Sequence, residues 1–407
     1  MRIESTFRRS DHSDPAVSVS TEKARTRLDS VDLLRGLVMI VMALDHVRDH
    51  FTNVRFYPLD LGQTTVALAL TRWITHFCAP VFVFLAGTGA FLSLTRGKTP
   101  GELVRFLLTR GLWLIVLEVT IVRLGWVYNV DYTFAFGQVI WAIGWSMVVL
   151  AGLVRLPIGW TTAFGVLMIV SHNAFDGVVP ESFGPFGWLW KMLHAGGNVE
   201  YTAGYRFAFA YPLIPWIGVM AAGYGFGRIL RFDPPRRRRM LGALGIGLTA
   251  AFVILRAINI YGDPQPWSLQ KDAAFTVLSF LNCEKYPPSL LYLLMTLGPA
   301  IALLPILERW KGRLADVVVT FGRVPMFFYL IHIFVIHGAA VLTGLAAGYD
   351  VSFMFGNAPP WEWPEGFGYG LPVVYAVWVV VVLALYPLCR WYAGVKKRTR
   401  SPLLSYL

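Results

Sequence analysis

Apolar stretches of roughly 20 residues alternate with short polar segments along almost the whole 407-residue chain. A helix of about 20 residues spans the hydrocarbon core of a bilayer, because each residue rises about 1.5 Å along its axis. The pattern therefore predicts an all-α, polytopic integral membrane protein with about ten transmembrane helices. These predicted spans lie at 32–51, 66–94, 102–122, 134–154, 158–173, 207–229, 240–260, 288–307, 322–344 and 371–391.

Composition agrees with this pattern, since 56% of residues are hydrophobic and 15% are charged, against about 25% charged in soluble domains. Residues 1–29 are polar and predict a disordered cytoplasmic tail. The first apolar run begins at Leu33 and has no small-residue cleavage site after it, which predicts a retained helix and not a signal peptide. We assign 30–395 to the transmembrane domain and 396–407 to a basic cytoplasmic tail.

The formal net charge of +12 comes from basic residues that alternate between the apolar runs. With the N-terminus placed inside, 26 of the 36 Lys and Arg residues fall in the inner segments. This bias predicts a cytoplasmic-membrane protein with both termini in the cytoplasm. It also explains the charge without a nucleic-acid partner, so only the lipid bilayer is expected as a polyanionic surface.

Six of the eight histidines fall in the outer half of the bilayer or in the outer loops of this topology, and His332 falls near mid-membrane. Ionisable groups inside a bilayer are costly and mark functional sites by default. The long outer connections, 173–206, 261–287 and 345–370, either cover a site or serve as connectors with interfacial aromatic anchors. No Cys or His spacing typical of zinc occurs, so no metal is expected. The six outer histidines are His46, His50, His76, His172, His194 and His337.

Arg35 and His46 lie eleven residues apart in the first predicted helix. Eleven residues turn a helix by about 1100°, within about 20° of three full turns, and rise about 16 Å. Both side chains therefore share one face at different depths, with Asp49 and His50 three and four residues beyond His46. His46 is a candidate general base, and Asp49 or the adjacent Asp45 a candidate partner for it. Alternatively, Arg35 snorkels to the inner interface and the charged cluster simply leaves the membrane.

Three other segments carry candidate groups. Pro80 removes the helix hydrogen bond to the carbonyl of His76 and predicts a kink there. Lys285 and Tyr286 precede the prolines at the start of the eighth span and project from its outer end, as site residues or as interfacial anchors. The ninth span brings Arg323 inside, His332 to mid-depth and His337 further out. The glycine-rich run GYGFG, at 223–227, predicts close helix packing.

Four segments carry a family resemblance: "RLDSVDLLRGLVMIVMALDH", "FCAPVFVFLAGTGAFLS", "KYPPSLLYLLMTLGP" and "FGRVPMFFYLIHIFVIH". Together, over about 26–395, they resemble the heparan-alpha-glucosaminide N-acetyltransferase-like family (DUF1624), within the transmembrane acyltransferases. The resemblance implies transfer of an acyl group from acyl-CoA at the cytoplasmic side to a sugar amine or hydroxyl at the other side. The wider acyltransferase-3 relatives carry Arg and His with the spacing of Arg35 and His46. This implies a catalytic role for His46 and a CoA-side role for Arg35.

One departure from the family pattern concerns His46. In the human lysosomal member an asparagine stands at this position, and the catalytic histidine comes later, in the first lumenal loop. The matching loop here, "FTNVRFYPLD", contains no histidine. Either His46 takes the role, or this branch performs different chemistry.

We therefore hypothesise an acyltransferase that uses acyl-CoA, with acetyl-CoA the expected form. Arg35, Arg323 and His332 would bind the CoA side, and His46 with Asp45 or Asp49 would catalyse transfer directly or through an acyl-histidine. His50, His76, Lys285, Tyr286 and His337 would bind the acceptor, an extracytoplasmic glycan or small metabolite. The rival functions are a transporter of a metabolite or anion, for which internal repeats are not found, and a non-catalytic scaffold. A homodimer is left open.

Overall fold

The computed structural model describes residues 29–399, so the predicted tail 1–29 lies almost wholly outside the described residues, and the predicted tail 396–407 begins within the last turn of a helix that ends at Arg398. Helices dominate this part of the chain. In chain order they are α1 (Asp29–Phe51), α2 (Val66–Thr75), α3 (Cys78–Leu94), α4 (Pro100–Leu117), α5 (Arg123–Val127), α6 (Val139–Leu153), α7 (Ile158–Ser171), α8 (Gly187–Trp190), α9 (Leu213–Phe226), α10 (Pro234–Ile258), α11 (Ala273–Leu281), α12 (Leu290–Leu307), α13 (Arg313–Arg323), α14 (Pro325–Ala346) and α15 (Leu371–Arg398).

Seven helical stretches within 29–399 are long and apolar enough to cross a membrane. The all-α polytopic membrane fold is therefore confirmed, whereas the total of ten spans stays a prediction. The three remaining predicted spans also fall on helices. Of these, α6 is shorter than a span, and every 18-residue stretch of α1 or α4 holds more than two Asp, Glu, Lys or Arg residues. The seven stretches are Val66–Leu94, Ile158–Phe175, Leu213–Arg231, Pro234–Ile258, Leu290–Leu307, Pro325–Ala346 and Leu371–Arg398.

Helix α1 lies at the centre of the bundle, in contact with α2, α3 and α12 to α15. Its approach to α13 depends on two glycines. A Cβ on Gly36 would lie 2.0 Å from the carbonyl oxygen of Val318, and one on Gly322 would lie 1.9 Å from that of Asp32. Side chains at either position would push the helices apart, and small residues at membrane helix contacts avoid this. The same holds for α3 and α9 at Gly87 and Gly223, so the close packing predicted at 223–227 is confirmed.

A small sheet that the hydrophobic pattern did not predict lies in two connections. It has the order β1-β3-β2, formed by β1 (Phe134–Gly137), β3 (Tyr205–Phe209) and β2 (Gly197–Thr202). β1 pairs with β3 in parallel and β2 pairs with β3 antiparallel. The spans predicted at 134–154 and 207–229 therefore begin too early, because strand residues with apolar side chains were counted as helix.

Two further boundaries differ from the prediction and bear on the site. Arg323 is the last residue of the amphipathic helix α13, and the ninth span begins after it, with Pro325 in the first turn of α14. A proline fits there because the first turn of a helix needs no amide from that position. The eighth span begins at Leu290 with Ser289 as its N-cap, two residues later than predicted.

Candidate functional site

The ring of His46 forms a hydrogen bond with the ring of His332. Nδ1 of His46 lies 2.6 Å from Nε2 of His332, and the ring centroids are 4.9 Å apart. His332 is fully buried, and His46 is half-buried. The two helices that carry them, α1 and α14, pack directly against each other. Residues 286 positions apart in the sequence therefore meet in the middle of the bundle.

The backbone of α14 determines the tautomers of this pair. Nδ1 of His332 lies 2.6 Å from the carbonyl oxygen of Tyr329 and 3.0 Å from that of Phe328. Carbonyl oxygens only accept, so Nδ1 of His332 carries the hydrogen, and Nε2 of the neutral ring accepts from Nδ1–H of His46. Nε2 of His46 then keeps its lone pair. This is the arrangement that a general base or a nucleophile needs.

Two more histidines lie one step further along α1 and α14. Nδ1 of His50 donates to the carbonyl of His46 at 2.9 Å, and Nδ1 of His337 donates to that of Gly125 at 3.0 Å. Their rings are 5.1 Å apart. Trp126 lies 5.0 Å from the ring of His46 and 5.2 Å from that of His50, so an indole covers this side of the cluster. We call this end of the bundle the histidine end.

Asp45 and Asp49, the predicted partners of His46, pair with arginines instead. Asp45 accepts two bonds from Nη1 of Arg72, at 2.9 and 2.8 Å, and lies 2.9 Å from Nη1 of Arg48. It also accepts 2.9 Å from the hydroxyl of Thr75. Asp49 accepts 2.6 Å from Nη2 of Arg48. Among the described residues, the ring of His46 is hydrogen-bonded to His332 and to neither carboxylate.

His76, Lys285 and Tyr286 lie beside this ion-pair network at the histidine end. The helix is interrupted at His76, between α2 and α3, and its carbonyl accepts 2.8 Å from the hydroxyl of Tyr292. The prediction that Pro80 frees this carbonyl is thereby confirmed. Nζ of the buried Lys285 lies 5.0 Å from the Tyr286 ring, and its charge acts on both Asp45 and His46.

The segment just before Lys285 adds a carboxyl group. Burial raises the pKa of Glu284, although the backbone amides of Tyr286 and Lys285 bind this carboxyl and partly offset the shift. Both amides lie 3.0 Å from Oε1 of Glu284. They hold the segment ahead of α12 in place, and with it the lysine and the tyrosine.

A cavity of about 380 Å³ opens at the other end of α1, which we call the basic end. Six cations line it, and none of its described lining residues is acidic. Its deeper wall is apolar, with Met39, Leu85, Ile140 and Met326 among the lining residues. The volume lies within the range of about 300–1,000 Å³ that is typical of small-molecule sites. The six cations are Arg35, Arg96, Lys98, Arg110, Arg323 and Lys396.

The cavity ends close to the histidine pair without including it. Tyr329 lines the cavity and supplies one of the carbonyls that hold His332. Met39, also in the lining, precedes His46 by seven residues, or about 10.5 Å of helix. Of the three residues that the sequence analysis assigned to the CoA side, Arg35 and Arg323 line the cavity, whereas His332 contacts His46. Along α1 the cavity thus adjoins Arg35 and Met39 and stops short of His46.

The sequence analysis missed four of the six cavity cations, Arg96, Lys98, Arg110 and Lys396. They come from the segment before α4, from α4 itself and from the end of α15. Their assignment to the inner side was a signal that they share one end of the bundle. It could not show that they surround one cavity.

Comparison with known proteins agrees with this architecture. The family profile described as heparan-alpha-glucosaminide N-acetyltransferase, catalytic, matches residues 27–258. No curated protein shows a significant match to the chain. The matched part, more than half of the chain, holds α1 with His46 and most of the cavity wall, and it ends before α14 with His332. The chain therefore belongs to the family of the heparan-alpha-glucosaminide N-acetyltransferase catalytic domain, a family of membrane acetyltransferases.

Proposed function

We propose that the protein transfers an acetyl group from acetyl-CoA, bound from the cytoplasmic side, to a hydroxyl or amine of an extracytoplasmic glycan or small metabolite. The observation that carries this proposal is the cavity at the basic end. Six cations surround its mouth, and its apolar wall ends beside the backbone that holds the histidine pair.

The cavity suits the chemistry of CoA. Its phosphates would bind at the basic mouth, where the guanidinium forks of Arg35 and Arg323 match phosphate geometry. The pantetheine arm would follow the apolar wall past Met39 toward the histidines. Bound in this way, acetyl-CoA has its phosphates at the basic end of the bundle and its thioester in the middle of the bundle.

Catalysis rests on His46. Its Nε2 would accept the proton of the acceptor hydroxyl or amine while the acceptor oxygen or nitrogen attacks the thioester carbonyl. The new C–O or C–N bond forms, the C–S bond breaks, and the proton passes to the departing CoA thiolate. Because His332 accepts from Nδ1–H of His46, it holds the base in the required tautomer and is a positioning residue.

A second route uses His46 as a nucleophile. Nε2 would attack the thioester, expel the CoA thiolate and carry the acetyl group until the acceptor takes it. The same tautomer serves both routes, so the geometry of the pair supports either. Isolation of an acetylated protein after incubation without acceptor would select the second.

The acceptor would approach from the histidine end. His50 and His337 follow the histidine pair along α1 and α14, and His76, Lys285 and Tyr286 lie beside the ion pairs of Asp45. Imidazole, ammonium and phenol groups can bind the hydroxyls of a sugar or the anion of a small metabolite. The ion pairs of Asp45 would fix the wall of this acceptor site.

The proposed orientation places the basic end in the cytoplasm. Arg96 and Lys98 precede α4 at this end and Arg110 lies within it, and short loops rich in Lys and Arg stay inside. The histidine end and its long connections would then face outward. A cysteine introduced at exposed Asp350 should react with an impermeant thiol reagent from outside the cell, and one introduced at Arg236 should not.

The decisive test is a transfer assay with the purified protein in liposomes, radiolabelled acetyl-CoA and a panel of amino sugars and hydroxylated sugars. We expect label transfer with release of CoA thiol, and loss of both in His46→Gln. Failure of the wild type to bind acetyl-CoA would contradict the proposal. A transporter would instead accumulate a solute in the liposomes without any acetyl-CoA, and the family match does not favour that function.

A further inference from the structure

A second group of histidines lies away from the cavity, where α7 ends and the following connection returns to it. Each of His172, Asp176 and His194 has one potential metal-ligating atom within 4.8 Å of those of the other two. Nε2 of His194 lies 3.6 Å from Oδ1 of Asp176. His194 comes from the single helical turn at Lys191–Ala195, so residues 22 positions apart converge here.

His172 is the unusual member of this group. It is 1% exposed, and neither ring nitrogen has a hydrogen-bond partner among the described residues, although the backbone of Pro288 lies beside the ring. A buried polar group without a partner is destabilising, because it has lost its hydrogen bonds to water and gained none in the protein. A ligand that uses one of these nitrogens would remove this cost.

We propose that His172, Asp176 and His194 bind a divalent transition-metal ion of the zinc type. Two imidazoles and one carboxylate, with water in the fourth position, form a common zinc ligand set. Tetrahedral ligands at about 2.0–2.1 Å from zinc stand about 3.3 Å apart. The 3.6 Å between His194 and Asp176 is close to this value, and His172 needs a shift of about 1.5 Å at most. Mg²⁺ and Ca²⁺ prefer oxygen ligands and are disfavoured.

The neighbours of the three ligands hold them in position. Nδ2 of Asn173 donates 2.8 Å to Oδ2 of Asp176, so the other oxygen, Oδ1, faces His194. Trp190 stacks on the His194 ring at 5.0 Å with 10° between the planes. Outer contacts of this kind orient metal ligands and contribute to affinity.

Charge and access also favour a cation. Asp263 and Glu284 add negative charge that acts on Asp176. Asp176 is exposed, which provides a route from solvent to the two buried imidazoles. Nε2 of His194 now lies 3.0 Å from the carbonyl of His172, so binding of the metal through Nε2 requires the ring hydrogen to move to Nδ1. Protons also compete with the metal for the two imidazoles and the carboxylate. Affinity should therefore fall in acid.

The ion would link three parts of the outer region. His172 and Asp176 directly follow α7, and His194 belongs to the segment at 191–195. The side-chain oxygen of Asn173 accepts a 2.8 Å hydrogen bond from the amide of Leu290 at the start of α12. Lys285 and Tyr286 lie just ahead of α12. The site would thus brace the connections around the proposed acceptor side, and it is independent of whether the protein transfers acetyl groups.

Metal binding to the purified full chain, freed of any affinity tag and of metal by a chelator, tests the proposal. Co²⁺ is the probe, because its visible absorption reports a tetrahedral nitrogen and oxygen environment, and Zn²⁺ should displace it. We expect one ion per chain and a rise in Tm with Zn²⁺. Asp176→Asn and His194→Gln should each weaken Zn²⁺ binding more than about 100-fold, beyond the roughly 10–100-fold that outer-shell losses cost.

Asp350→Asn is the matched control, since Asp350 is also an exposed carboxylate outside the helices and bonds only to Ser352 among the described residues. It should bind Zn²⁺ like the wild type. Failure of the wild type to bind either metal stoichiometrically would overturn the proposal. Retention of the ion by the double variant Asp176→Asn/His194→Gln would also overturn it, because the metal would then lie elsewhere, for instance among the histidines near His46.

Discussion

Two pairs of histidines lie in different regions of this molecule, one inside the helix bundle and one in the connection after α7. Nδ1 of His46 lies 2.6 Å from Nε2 of His332, and backbone carbonyls of α14 accept a hydrogen bond from Nδ1 of His332. His172 and His194 have ring centroids 5.6 Å apart, with the carboxylate of Asp176 beside them. In the first pair the two rings are hydrogen-bonded to each other. In the second pair the two rings and the carboxylate of Asp176 surround the same small volume.

The hydrogen-bond partners of a histidine therefore decide its chemistry more than its burial does. A ring bonded to a neutral acceptor keeps a lone pair for protons or acyl groups. In the second pair, two imidazoles lie beside a carboxylate, and one of the imidazoles has no hydrogen-bond partner among the described residues. These three groups together form a ligand set that suits a metal cation. The spacing of these histidines along the sequence does not distinguish the two pairs.

Replacement of His46, the proposed base, should give the largest difference in activity between variants of the two histidine pairs. His46→Gln keeps an amide that can donate to His332 but removes the basic nitrogen, so kcat should fall about 10²–10⁴-fold, the range of general acid–base catalysis. Acetyl-CoA binding, measured by equilibrium dialysis, should remain. The companion His194→Gln should not reproduce this loss, and equal losses in both variants would mean that the two pairs do not differ as described.

Asp45→Asn tests whether the carboxylates beside the first pair serve structure. Loss of the charge would leave Arg72 and Arg48 buried without a full partner, at a cost of about 3–5 kcal/mol of stability. Thermal unfolding in detergent would measure it. Asp49→Asn is the control, because Asp49 contacts one arginine and is more exposed, and its effect should be clearly smaller. An Asp45→Asn variant with wild-type Tm and no transfer activity would instead support a catalytic Asp45.

Replacement of His332 should lower kcat less than replacement of His46, because His332 acts only by positioning His46. His332→Phe removes the acceptor for Nδ1–H, and kcat should drop about 10–100-fold with KM for acetyl-CoA unchanged, since the tautomer of the base is no longer held. His332→Gln restores an acceptor oxygen and should recover part of the rate. If Phe and Gln behave alike, the ring of His332 fills space and does not position the base.

The smallest effect should come from the basic end. Arg323→Gln removes one half-exposed cation of the cavity, so KM for acetyl-CoA should rise about fivefold with kcat unchanged, in line with the roughly 1 kcal/mol of an exposed charge pair. The effect should shrink in high salt. Arg313→Gln, on the same helix but outside the cavity lining, is the control. A change in kcat without a change in KM would place Arg323 outside the donor site.

Hydrophobic periodicity located the helices well, because bilayer thickness and helix rise together require about 20 apolar residues for each span. It failed at 134–137 and 205–209, where short apolar strands resemble helix ends, and at Arg323, which belongs to α13. Such boundaries depend on which backbone groups find partners in the tertiary structure, and those partners are not adjacent in sequence.

The sequence by itself determined the membrane class and the family. Helical spacing also placed Arg35 and His46 on one face of α1, and both lie where that face meets the site. Only the tertiary structure decided the partners. His332 approaches His46 because α14 packs on α1. Arg72 forms an ion pair with Asp45 because the chain turns back after α1. His194 lies beside His172 because the connection after α7 folds back on itself. Contacts between distant segments follow from packing that no local spacing encodes.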